Sequence, residues 1–460
     1  MPILSHKYSK ILVKAIQDIF KFNSNIHIRN YLDLIKYLDF QMNEIIRQAL
    51  VVLFETLDTD FSGSPEQKAH YIKKGKHPRT ILTIFGEITF EREYYYSKHN
   101  GDGFYYVDKE LQLPRKDYYD PLIKALVIER YSEHSYGESG NIVGNLIGTR
   151  FKSLEESILS RISRQTVFNI VHSANIKPQI EEIKDEVETL YIQLDEKYIH
   201  TQGTNGKSKE VKIAVIHTGK ELEYHNRYKL KNRFVIASDQ TIDTIRPRMI
   251  DYIYKTYSVD KIKNVIVSGD GANWIKNCVY DFKFNNKTNV LFILDKFHTH
   301  QAINHITTNE EYKKILRSYL NNDMKSDFYI LCNFLIYTQS ERKDMIVEKM
   351  NYILKNWTHI QSQNHDLNVG CSVEGHVSHV LASKLTSRPK GYKLNRIHQT
   401  INIRTMKQNE IDIKEVYLRN NTDYIKPNKL TIKIVDDPQP IINLYHNKNS
   451  GLCNLIRKYS

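Results

Sequence analysis

NVIVSGDGANWIK, residues 264–276, is the stretch on which the rest of the chain turns. Val265, Ile266 and Val267 form an apolar run suited to a buried strand. The polar quartet Ser268-Gly269-Asp270-Gly271 breaks that run, and a short helix resumes from Ala272. A strand that ends on an aspartate ahead of a helix delivers the carboxylate to a sheet edge, where open α/β sheets bind ligands. The flanking glycines permit a tight turn and leave room beside Asp270 for a large substrate. A plainer account of the same residues is an Asp-Gly turn capping the next helix.

The neighbouring segments bear on that choice. TLYIQLDEKYIH (189–200) alternates with Leu190, Ile192 and Leu194 inward, and EVKIAVIHTG (210–219) and NRFVIAS (232–238) repeat the strand pattern with turn residues between them. These predict a three-stranded meander. A helix follows from about residue 239 to 257, with Ile242, Ile245, Met249 and Ile253 as its buried stripe and a bend at Pro247. NVLFILD (289–295) is another strand. The order is β-β-β-α-β-α-β, with Asp195, Asp270 and Asp295 each expected at a strand end.

Residues 301–370 carry only helical periodicity. CSVEGHVSHVLASKLTS (371–387) then begins a helix with Ser372 as its expected cap and Glu374 in its first turn, where the helix dipole suits a carboxylate. Two acids at strand ends, and a third opening a helix after a helical interruption, describe an α/β, ribonuclease-H-like nucleotidyl-transfer domain with an all-α insertion. Carboxylates converging there suit a pair of hard cations, Mg²⁺ or Mn²⁺. Two such ions about 3.5–4 Å apart activate a water or a 3′-hydroxyl and stabilise the leaving oxygen of a phosphodiester.

The N-terminal third differs in texture. Residues 1–60 read as helical, and MPILSHKYSKILVKAIQDIF reads as an amphipathic helix rather than a signal peptide. RTILTIFGEITFEREYYY (79–96) alternates around Gly86-Glu87, which predicts a β-hairpin within a region spanning 61–118; its basic and tyrosine content suits nucleic acid or a solvated sheet face. Residues 119–178 read as a helix-turn-helix-like region or a plain helical hairpin, with a connection longer than the roughly 3–4 residues of a simple helix-turn-helix. In ISRQTVFNIVHSA (162–174) Ser163 is the expected cap, Val167, Ile170 and Val171 the inner stripe, and Arg164, Gln165, Phe168 and Asn169 the outer face, as a recognition helix requires. The catalytic domain spans 179–390, with its helical insertion at about 305–370, and a basic tail occupies 391–460.

The formal net charge of +13 favours a polyanionic partner, although the Lys-, Asn-, Ile- and Tyr-rich composition ascribes part of it to coding bias. Four scattered cysteines, Cys278, Cys332, Cys371 and Cys453, form no CxxC and suggest a reducing compartment without a zinc or disulfide framework. No apolar run approaches the roughly 18 residues of a membrane span, and no GxxxxGK[ST] nucleotide loop is present.

LDEKYIH, VSGDGANWIK, LDKFHTHQAI and SVEGHVSHVLASKLTSRPKGY, in this order, resemble the ISLre-type insertion-sequence transposases, related in design to the Mutator-like DDE transposases. The resemblance covers most of the chain, including the hairpin and the 162–174 helix. It implies an acid triad of Asp195, Asp270 and Glu374 that holds two Mg²⁺ or Mn²⁺ ions. It also implies Mg²⁺-dependent cleavage and strand transfer at terminal inverted repeats, a dimer or higher homo-oligomer that pairs two DNA ends, and action in the cytoplasm at the nucleoid. Asp295 to His298 matches an Asp/Cys-x-x-His element of the wider group. His298 is then expected to contact the scissile phosphate or orient a water, or to be a structural histidine bonded to Asp295. Arg164, Gln165 and Asn169 are candidate DNA-reading residues, and Arg388 and Lys390 candidate phosphate contacts. Glu196 is expected on the opposite strand face. His376 and His379 lack a third ligand for zinc, and Trp274 and Trp357 read as core.

Overall fold

The computed structural model describes residues 30–113, 116–147, 162–178, 180–202, 208–225, 227–386 and 392–422. Arg388, Lys390, the N-terminal amphipathic segment and the 148–161 connection of the expected helix-turn-helix lie outside the described residues. The chain divides into two units, Met1–Asn175 with Lys414–Ser460, and Ile176–Ile413.

In the first unit Asn30 caps α1 (Tyr31–Ser62) by accepting the Asp33 amide at 2.9 Å. No glycine or proline interrupts this stretch, so it forms one continuous helix. After α2 (Pro65–His70) comes the antiparallel hairpin of β1 (Tyr71–Thr83) and β2 (Gly86–Ser97), turning where the alternation around Gly86 places it; β3 (Gly103–Tyr105) adds to β2. Glu55 and Asp58 of α1 accept the β2 amides of Glu91 and Glu93 at 3.0 and 2.8 Å, satisfying amides that β3 does not reach. α3 (Tyr106–Glu110) brings Asp108 to Arg79 and Arg92.

Among the described residues α4 (Pro121–Tyr131), α5 (Tyr136–Leu146) and α6 (Arg164–Ser173) follow. Ser163 caps α6 through the Thr166 amide at 3.0 Å, Val167, Ile170 and Val171 are buried, and Arg164, Gln165 and Asn169 are exposed, as their pattern predicts. Phe168 is not on the open face; it is half-buried, with its ring against Tyr136 and His172.

The second unit is built on a mixed sheet. β4 (Thr189–Gln202) and β5 (Ser208–His217) are antiparallel; β6 (Lys220–Tyr224) and β7 (Arg227–Leu230) form a separate exposed ribbon where only turn residues were expected; β8 (Phe234–Ser238) returns to pair with β5. α7 (Ile242–Thr256) leads to β9 (Asn264–Gly269), and α8 (Asn273–Cys278) to β10 (Asn289–Leu294); both strands run parallel to β4. The sheet order is β10-β9-β4-β5-β8.

Helices α9 (Lys296–Ile306), α10 (Glu310–Asn321), α11 (Lys325–Thr338), α12 (Lys343–Lys355) and α13 (Trp357–Gln361) form the helical interruption. α14 (Val373–His376) passes through a π-helical turn, Val377–Ala382, into α15 (Ser383–Leu385). The chain does not then become an irregular tail. β11 (Tyr392–Lys393) pairs with β4, and α16 (Leu394–Gln408) follows. α17 (Ile413–Asn421) belongs mostly to the first unit, where Lys414 pairs with Glu129 at 3.2 Å.

The two-residue period of β4 divides the core. Leu190, Ile192 and Leu194 pack with α7, α8 and the interrupting helices; Ile199, on the other face, packs with Val373, Val377, Ile397 and Ile401. Asp195 lies on that second face, so the strand itself aims it toward the helix that carries Glu374. No helix among the described residues is long and apolar enough to cross a membrane.

Candidate functional site

Pairing between β4 and β9 runs from Thr189↔Asn264 to Gln193↔Ser268. Beyond that the two strands part, and Asp195 sits at the split. β4 does not end there, as the alternation suggests; it continues to Gln202 against β5, with Asp195 opposite Ile213. What stops near Asp195 is only the parallel pairing with β9.

Asp270 follows β9 directly. A Cβ at Gly269 would lie 2.7 Å from the Leu194 carbonyl oxygen, and Gly271 has φ of +84° with Leu294 Cδ1 2.8 Å from a would-be Cβ. A close approach to β4 at Gly269 and a left-handed turn at Gly271 thus each require glycine. Asp270 Oδ1 accepts the Ala272 amide at 2.8 Å, so the aspartate also fastens the turn into α8.

Asp295 caps α9 by accepting the Phe297 amide at 3.0 Å, while its own amide donates to the Gly269 carbonyl at 2.8 Å. This locks the ends of β9 and β10 together. His298, one turn into α9, faces Glu374: its Nε2 is 3.9 Å from Oε1 and has no hydrogen-bond partner among the described residues. Asp195, His298 and Glu374 each offer a ligand atom, all within 4.8 Å of one another, the only such group among the described residues.

Asp270, expected from the sequence as a member of the ligand set, lies outside that group; His298 stands in it instead. One Asp270 carboxylate oxygen is taken by the Ala272 amide. Its charge still reaches the site. Burial, together with the charges of Glu374, Asp270 and Asp295, pushes the Asp195 carboxyl up to about 7, against the lowering effect of the Glu196 amide. No lysine or arginine lies within ion-pair distance of Asp195, Asp270 or Glu374 among the described residues.

Glu374 is held in place by a residue that the sequence pattern passes over. Ser372 does not cap α14 with its side chain. Its hydroxyl and amide donate instead to Gln193 Oε1, at 3.0 and 2.9 Å. Gln193 Nε2 reaches His217 Nε2 at 3.0 Å and donates to the Gly370 carbonyl at 3.2 Å. Both oxygen lone pairs and both N–H groups of this buried amide are used. Gln193 shares its strand face with Asp195, so one strand carries an acid and also anchors the segment that presents another. His217 lies flat against Tyr191, centroids 5.0 Å apart, and burial lowers its ring to about 4, leaving it neutral to accept from Gln193. The signal was a lone glutamine within the apolar run Leu190–Leu194, on the face opposite Leu190, Ile192 and Leu194.

The remaining polar residues have structural roles. Glu196 accepts the Trp274 indole N–H at 2.6 Å and the Tyr198 hydroxyl at 3.2 Å, fixing α8 against β4. Burial, and then the adjacent Asp295 carboxyl, raise the Cys371 thiol well above its usual range. His376 Nδ1 bonds the Ser372 carbonyl at 3.0 Å, away from the ligand group. Trp357 is buried and donates to Asp323 at 2.5 Å.

A family model described as "Uncharacterised protein family (UPF0236)" matches residues 28–422. The chain belongs to this family. Similar UPF0236 proteins occur in Caldanaerobacter subterraneus subsp. tengcongensis. One is 28% identical over 417 residues, covering 89% of this chain and 83% of its own length. A second is 29% identical over 417 residues with the same coverage. The first relative carries eleven locus designations in one name and the second carries four. The UPF0236 match spans Asp195, Asp270, His298 and Glu374.

Proposed function

We propose that this chain is a DDE-type DNA transposase, a polynucleotidyl transferase built on a ribonuclease-H-like core. The observation that carries the reading is the meeting of Asp195, His298 and Glu374 within 4.8 Å, from segments 103 and 76 residues apart in sequence, at the split between parallel strands. Three antiparallel strands flanked by two parallel ones, in the order β10-β9-β4-β5-β8, support the fold, as does the helical interruption ahead of Glu374. Several locus designations gathered under one relative's name suit a sequence that copies itself within a genome.

The donor set fits a divalent cation. Two carboxylates and a buried, unpartnered imidazole nitrogen converge without a basic group paired to them. Oxygen donors suit Mg²⁺ and Mn²⁺, and the imidazole suits the second better. Asp195, Glu374 and His298 would hold one ion, and Asp270 with Asp195 a second. Bound there, such ions would supply Lewis-acid activation of a water or 3′-hydroxyl and neutralise the leaving oxygen. The protein's own part is to hold the acids at one edge, through Gln193 and the Asp270 turn, and to keep Asp195 partly desolvated. The substrate is double-stranded DNA, both transposon ends and target. Arg164, Gln165 and Asn169 would contact the terminal repeats, and Arg388 and Lys390 phosphates. Two ends held together call for a homodimer or larger assembly, acting at the nucleoid.

The test supplies a pre-cut end, taken from the DNA flanking the gene, with plasmid and Mg²⁺ or Mn²⁺. Joined product is expected from the native protein. Asp270→Ala should abolish it while leaving end binding intact. Nicking without joining would make the protein a nuclease, and full activity in Asp270→Ala would end the catalytic assignment.

A further inference from the structure

Seven consecutive residues of β1, Ile72 to Pro78, are exposed. A strand resting on a core shows alternate burial; this half of β1 has no covered face, and only from Arg79 does the strand enter the interior. Its sequence, IKKGKHP, holds three lysines and a histidine and no acid.

A bulge interrupts the ladder between Lys73 and Lys76. Gly75 occupies it at φ +120°, with its amide donating to the Glu93 carboxylate at 2.6 Å. Lys73 and Lys76 stand opposite Tyr95 and Glu93. Lys74 lies over the Tyr96 ring, 5.8 Å from its centroid. His77 borders the rings of Tyr94 and Tyr105, with centroids 6.4 and 6.1 Å away. Among the described residues no carboxylate lies within ion-pair distance of the three ammonium groups. Guarding an open edge against pairing accounts for one such charge. Three of them, on a bulged ribbon beside tyrosine rings, complement a polyanion.

We propose that this end of the β1–β2 ribbon docks duplex DNA through its phosphates, with Lys73, Lys74 and Lys76 as the contacts. Ammonium-to-phosphate contacts are indifferent to sequence, and they need only an exposed row of charges, which the β1 edge of this sheet presents. The inference rests on the DNA partner of the proposed function but not on its chemistry, so it is tested with the metal chelated.

Fluorescence anisotropy of the full-length protein on a labelled duplex of arbitrary sequence, in EDTA over about 50–200 mM salt, gives the salt dependence of binding. In a Lys73→Gln/Lys74→Gln/Lys76→Gln variant the slope of log K against log salt should shrink by about 2.7, at about 0.9 per lost phosphate contact, with affinity at least about tenfold weaker at the low-salt end. The matching triple Lys→Arg variant should keep the native slope. Native binding with an unchanged slope in the glutamine variant overturns the ribbon and leaves the proposed function standing, and loss of binding in the arginine variant overturns it equally. A native protein that binds no duplex at all overturns the DNA partner itself.

Discussion

Replacing Asp195 with asparagine should make the metal-free protein more stable near neutral pH. Burial and the surrounding acids raise the Asp195 carboxyl from 3.8 to about 7, and the residue is only 5% exposed. Between those two values the folded chain keeps a proton that the unfolded chain has released. Stability therefore falls as pH rises through that window and stays low above it. At about 1.36 kcal/mol per unit the full loss is about 4 kcal/mol. Asparagine is uncharged, and its Oδ1 can still accept the Glu196 amide that Asp195 now takes at 2.7 Å. Its own NH₂ must find a partner in these buried surroundings, which trims the gain to about 2–4 kcal/mol. Urea unfolding in EDTA measures this directly: the variant should gain at about pH 8 and match the native protein near pH 4. Mn²⁺ should then stabilise the native protein and not the variant, because only the native site binds the ion. A variant no more stable at the higher pH, or equally more stable at both, would refute the claim that Asp195 holds an uncompensated charge.

Gln193→Ala should strip partners from the Ser372 amide, the Gly370 carbonyl and His217 at about 1–3 kcal/mol for each group left buried and unpaired. It should also weaken Mn²⁺ binding by about 10–100-fold through Glu374, as loss of an outer-shell support does; calorimetric titration of a folded variant with native affinity would exclude the positioning role. Gly271→Ala should cost about 1–3 kcal/mol, because it forces a left-handed φ and a Cβ 2.8 Å from Leu294 Cδ1. Gly375→Ala, with nothing within 4 Å of its Cβ, is the control, and equal melting temperatures for the two variants would contradict the strain account.

Most of the order of elements was legible because each segment's periodicity is local; the β6–β7 ribbon and α16 were not read. The period of two in 189–200 and the run at 265–267 mark strands whatever surrounds them, and the uninterrupted 3.6 pattern from Tyr31 to Ser62 marks a helix. Of the candidate acids, Asp195 and Glu374 meet in the fold, while Asp270, singled out on the same grounds, stands outside their group. Even the α6 cap and stripe follow from a ten-residue window.

Which side chains share a site is another matter, because it depends on contacts between segments that know nothing of each other in sequence. The chain alone determined that acids would gather at one edge of an α/β sheet. Only the tertiary structure decided that His298 rather than Asp270 joins Asp195 and Glu374, since that depends on how α9, β4 and α14 pack and not on any one segment. It alone showed that Gly269 is required by the Leu194 carbonyl of a neighbouring strand, and that Gln193 ties Ser372 to β4 across 179 residues of chain. Periodicity records which face is buried; it carries no record of what that face is buried against.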